Sequence, residues 1–143
     1  MDAYFHIEDF LIIKKFFDID NDLNVNILTH KQKYPDIDVF QKGWNRVSAD
    51  MTGSISITTV CFNDDSGTCP IHDRWWVLYD NETGESVGLR LESLSGLGKR
   101  DSEISEMDEQ SLHSFNSLWI EYIMNGIRKK NERRLDYDYK TIK

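Results

Sequence analysis

Residues 71–92 read IHDRWWVLYDNETGESVGLRLE, two runs rich in aromatic and β-branched residues on either side of the polar pentapeptide NETGE. Such runs favour strands, and a polar connection of that length containing glycine favours a hairpin, so the pair is expected to be antiparallel. Trp75 and Trp76 then fall on opposite faces, one in a core and the other beneath a helix or at an interface. On the same strand His72 and Arg74 are two apart and share a face, while Asp73 points to the other.

Working upstream, SISITTVCF (54–62) is β-branched and reads as a strand, and NDDSGTCP (63–70) is loop chemistry. PDIDVFQKGWNRVSADM (35–51) places Ile37, Phe40, Trp44 and Val47 at helical spacing. LNVNILT (23–29) alternates Leu23, Val25 and Ile27 against Asn24, Asn26 and Leu28, the period of a half-buried strand. IEDFLIIKKFFD (7–18) gathers Ile7, Phe10 and Leu11 on one helical face, widened by Ile13, Phe16 and Phe17. It follows DAYF almost without a lead, which reads as the exit of a strand that begins upstream. The expectation is a domain cut from a longer protein, covering residues 1–130.

Downstream, SLSGLGKRDSEIS (93–105) is small, polar and glycine-bearing and reads as a loop. Residues 110–130 carry Leu112, Phe115, Leu118, Trp119, Tyr122 and Ile123 at three- and four-residue intervals, a long helix with an apolar stripe. Residues 131–143 lack a sustained apolar period and are expected to form a polar C-terminal tail. The order predicts an α/β fold, a three-layer sandwich in which one mixed β-sheet is flanked by helices.

With 143 residues the chain has room for one domain, and 39% hydrophobic with 12% aromatic residues excludes wholesale disorder. No apolar run approaches the ~20 residues of a membrane span, and no secretory signal is visible, so the expected compartment is the cytoplasm. The formal charge of −8 argues against coating nucleic acid by bulk electrostatics. Its distribution is uneven: −2 over residues 1–34, −9 over 35–109 and +3 over 110–143. Cys61 and Cys69 are too few for a disulfide framework and are read as reduced thiols. With His72 they supply three nearby ligands at a spacing that matches no structural zinc pattern, so neither a metal nor another cofactor is expected.

An imidazole beside a guanidinium suits phosphate: the imidazole can attack phosphorus or take a proton, and the guanidinium holds non-bridging oxygens by paired hydrogen bonds. The loop holding Ser93, Ser95, Lys99 and Arg100 follows the next strand and could add hydroxyl, N–H and cationic donors. Here the chain resembles the phospholipase D-like superfamily over most of its length, through DAYF and its helix, the strand ending ILT, IHDRWWVLYD, and GLRLESLSGLGKRDSEI. It is closest to single-motif members bearing His-Asp-Arg, which include bacterial multidomain proteins, some in defence systems, and the C-terminal domain of MIT-domain proteins. On the family pattern H-x-K-x4-D, His72 takes the nucleophile position, Arg74 the lysine position, and Ser93 and Ser95 the downstream small-polar and Asn positions. The acidic position falls on Tyr79, with Asp80 displaced by one, and Leu91 stands where glycine is common.

Active members oppose two motifs, one histidine attacking and the other protonating the leaving oxygen, so a single-motif chain needs a homodimer or a sister domain. Arg74 keeps the positive charge where Lys is lost, so phosphate binding survives departures that weaken turnover. The resemblance therefore implies a degenerate domain that binds a phosphate-bearing ligand, nucleic acid or phospholipid, or a partner protein in a larger assembly. Two alternatives stand beside it: a metal-independent phosphodiesterase or nuclease, dimeric, passing through a phosphohistidine at His72 with Arg74 and Asp80 in support; and a structural oligomerisation module in which His72 and Arg74 carry no chemistry.

Overall fold

The β-branched run predicted as a strand forms the middle of a sheet in a computed structural model, which describes residues 1–31, 36–48, 51, 54–62, 71–91, 103–131 and 135–142. The strands among these are β1 (Asn24–His30), β2 (Ser54–Phe62), β3 (Trp75–Tyr79), β4 (Ser86–Leu91), β5 (Ile104–Glu106) and β6 (Leu135–Ile142). The helices are α1 (Phe10–Phe17), entered through a 3₁₀ turn at Ile7–Asp9, α2 (Asp38–Trp44), α3 (Glu109–Trp119) and α4 (Gly126–Asn131). The fold is mixed α/β. In place of one sheet, the described residues form two of three strands each, ordered β1-β2-β6 and β3-β4-β5.

In the first sheet β1 runs parallel to β2, from Asn24 opposite Ser54 to His30 opposite Val60, with α2 in the connection between them. β6 runs antiparallel to β2 along eight residues. The expected C-terminal tail is therefore largely a strand. Its alternation escapes an aliphatic reading because the buried members are Leu135, Tyr137 and, at the far end, Ile142, while the intervening Asp136 and Asp138 both bind Lys31 at the end of β1. Burial on its own would lower the Lys31 pKa, but the two carboxylates outweigh it and raise it.

The second sheet is antiparallel, with the expected hairpin joining β3 to β4. Asp80 builds its turn: the carboxylate accepts the N–H groups of Glu82 and Thr83, and Gly84 takes the left-handed φ of 75°. Residues expected as loop contribute the short β5 at the outer edge of β4.

The two sheets are joined through the first two residues. Met1 exchanges backbone hydrogen bonds with Trp75, N to O 2.7 Å and O to N 2.8 Å, while the Asp2 N–H donates to the Leu28 carbonyl at 2.9 Å. Met1 and Asp2 thus occupy the place of a strand between β1 and β3, antiparallel to the latter.

Alternation along the strands divides the apolar residues into two cores. Phe10, Phe17, Phe40 and Trp44 from α1 and α2 meet Ile27, Ile55, Ile57 and Ile142 from the first sheet. Phe10 and Phe5 meet edge to face, with centroids 5.2 Å apart. The other core joins Phe115 of α3 to Leu28, Val60, Trp75, Leu135 and Tyr137. The long helix predicted over 110–130 is broken. After the Asp108 N-cap and α3 it widens into a π-turn at Ile120–Met124, where the Asn125 N–H reaches the Ile120 carbonyl, and restarts as α4. Gly126 stands at the restart because the Tyr137 ring leaves no room for a Cβ, which would lie 2.3 Å from Cε2.

Candidate functional site

Ile71 is buried in the core beneath α3 and Trp75 starts β3, so the three residues between them are held at both ends. The expected strand does not extend through them. A bend at Asp73 breaks the alternation, and His72, Asp73 and Arg74 all border one hollow of about 430 Å³ with Tyr4, Arg90 and Leu91. His72 and Arg74 do come together; Asp73, expected on the opposite face, joins them and places a carboxylate at the rim.

Arg74 is turned inward. Its side chain is only 12% exposed, its Nε lies 3.3 Å from the buried Asp2 carboxylate, and its guanidinium sits 5.4 Å from the Tyr4 ring centroid. Burial raises the Asp2 pKa, and the Arg74 charge together with the Tyr4 N–H, donated to Oδ1 at 2.9 Å, opposes that rise. The pair is incompletely satisfied: Arg74 Nη1 and Asp2 Oδ2 are buried without a hydrogen-bond partner among the described residues. A buried N–H lacking an acceptor costs about 1–3 kcal/mol.

The second guanidinium on the hollow belongs to Arg90, exposed on β4 opposite Trp75 and 5.9 Å from that ring. Sequence reading passed over Arg90, Asp2 and Tyr4. Arg90 was accessible to it, because counting register back from the NETGE turn sets Arg90 across from Trp75 and next to Arg74. Asp2 and Tyr4 were not, since their approach depends on the N-terminal residues lying beside β3.

Asp80 is not part of this constellation. It lies at the other end of β3, roughly 20 Å from Arg74 at strand rise, and its turn hydrogen bonds hold its carboxyl below the usual range. Ser93, Ser95, Lys99 and Arg100, expected to complete the anion pocket, lie outside the described residues, as does Cys69. Cys61 is buried in β2. Among the described residues no three His, Cys, Asp or Glu side chains are gathered to hold a metal ion, and no helix is long and apolar enough to cross a membrane. Comparison with protein-family models, curated proteins and solved structures returns no match.

Proposed function

We propose that the chain is a phospholipase D-like domain of the degenerate, non-catalytic kind, which holds a phosphate-bearing ligand in the hollow between His72, Arg74 and Arg90. The observation that carries this reading is the convergence of two guanidiniums and an imidazole on one concave surface. The two apolar cores, fed by α1 and α2 on one side and α3 on the other, support the finer three-layer architecture. Binding without turnover is favoured because Asp80 is remote, Arg74 is engaged by Asp2, and a carboxylate rather than a second base borders the hollow at Asp73.

The test is titration with inorganic phosphate and with a short oligonucleotide, followed by calorimetry and by the imidazole resonances of His72. Arg90→Gln and His72→Ala are suitable variants because both side chains are exposed; Arg74→Ala would strand the buried Asp2 charge. Phosphate binding that weakens three- to tenfold in Arg90→Gln, and falls as salt rises, is the expected result. No binding at 10 mM phosphate, or equal affinity in both variants, overturns the site. Cleavage of the oligonucleotide that resists EDTA and vanishes in His72→Ala would replace the binding reading with the dimeric phosphodiesterase.

A further inference from the structure

The hollow bordered by His72, Arg74 and Arg90 is not lined by anion donors alone. Its fixed charges cancel: Arg74 is ion-paired with the buried Asp2, and Arg90 is offset by Asp73 on the same surface. Asp73 works against a bare phosphate, because a carboxylate accepts hydrogen bonds and donates none. A ligand suited to this surface therefore carries donors of its own a short way from its anionic group and seats them on Asp73.

Tyr4 narrows what those donors belong to. It is 54% exposed, with the Arg74 guanidinium over its ring 5.4 Å from the centroid, so open ring is left for a flat group to stack on. A cationic group is disfavoured in that place, since Arg74 already draws on the attraction the ring offers a cation and repels a second one. The volume of about 430 Å³ is that of a small-molecule site. A polyanion running on beyond it would cross the surface of a chain whose formal charge is −8.

We propose that the hollow takes a ribonucleoside monophosphate, with its phosphate on Arg90 and His72, its ribose hydroxyls on Asp73 and its base on Tyr4. This rests on the anion site proposed above and gives that site its ligand class. Vicinal hydroxyls donate a pair of hydrogen bonds to the two oxygens of one carboxylate, the means by which an acidic side chain selects ribose in dinucleotide-binding folds. Deoxyribose keeps only one of the two. Stacking on an aromatic ring tolerates every base, so the arrangement selects the sugar and the single phosphate and leaves the base open.

The experiment titrates the 143-residue protein by calorimetry with inorganic phosphate, ribose 5-phosphate, AMP, 2′-deoxy-AMP and phosphocholine. AMP is expected to bind about tenfold or more tighter than inorganic phosphate, and the deoxy form about three- to fivefold weaker than AMP. Asp73→Ala moves two probes in opposite directions: inorganic phosphate binds more tightly, AMP more weakly, and the ribose preference disappears. Tyr4→Leu brings AMP down to the affinity of ribose 5-phosphate. Both positions are exposed, where substitution costs little stability. Equal affinity for AMP and inorganic phosphate, with phosphate binding still weakened in Arg90→Gln, overturns the nucleotide and leaves the anion site standing; binding of neither overturns both. Phosphocholine binding more tightly than AMP gives the hollow to a zwitterionic head group, and an oligoribonucleotide binding more tightly gives it to a strand. Either result overturns the proposal.

Discussion

β2 and β3 invert the usual relation between hydrophobicity and burial. SISITTVCF in β2 contains several hydroxyl residues, yet Thr58 and Thr59 are 2% and 1% exposed; WWVLY in β3 is more apolar throughout, yet burial decays from Trp75 at 5% to Tyr79 at 63%. The difference lies in the neighbours. β2 is paired on both edges over nearly its whole length, whereas among the described residues the outer edge of β3 has no partner after Trp75. Position between two occupied edges decides which residues leave water.

The sharpest way to break this comparison is a matched pair of truncations. Ile57→Ala, at a fully buried position of β2, is expected to cost about 4 kcal/mol in urea denaturation, and Leu78→Ala under 1 kcal/mol. Similar losses at the two sites would remove the distinction.

A second probe is pH. The Met1 amine is enclosed between the sheets, and burial lowers its pKa from 8.0 to about 5, against the pull of the Asp2 charge. The unfolded chain then binds more protons than the folded one between pH 5 and 8. Stability rises across that window, by on the order of 4 kcal/mol, and is lost as pH falls. N-terminal acetylation should abolish this slope while leaving the opposite contribution of Asp2, whose raised pKa makes stability fall as its carboxyl ionises. Identical free and acetylated profiles would show that the junction is open to water.

Two substitutions probe how the first sheet is finished. Gly126→Ala drives a methyl into the Tyr137 ring and should cost about 1–3 kcal/mol with a matching fall in Tm; a silent substitution would mean that β6 sits further from α4. Lys31→Met leaves Asp136 and Asp138 side by side without their cation and should cost about 1 kcal/mol, less at high salt. The smallest effect is expected from Asp80→Ala, a slight fall in Tm with phosphate affinity unchanged, because the residue serves the turn alone. A loss of phosphate binding there would return Asp80 to the site.

Local chemistry was read correctly wherever the signal is local. The hairpin, its turn residues, β1, β2 and the two N-terminal helices follow from periodicity and turn composition within a few residues of where they stand. The C-terminal strand was missed because its Tyr-Asp alternation becomes sense only beside Lys31, 105 residues away. The helix break at Gly126 was missed for a similar reason, since the obstructing ring comes from β6. At the candidate site, His72 and Arg74 border one hollow although the strand whose spacing was to place them together does not extend to them, and neither the bend that adds Asp73 nor the inward turn of Arg74 was legible.

Composition and pattern alone determined that this chain builds an α/β fold around a Trp-bearing hairpin, because backbone propensity and side-chain period are properties of short segments. Tertiary structure alone decided that Arg74 is tied to Asp2, that Arg90 shares its hollow, and that Met1 and Asp2 join the two sheets. Each of those depends on which distant residues occupy an edge, and edge occupancy is settled only when the whole chain packs.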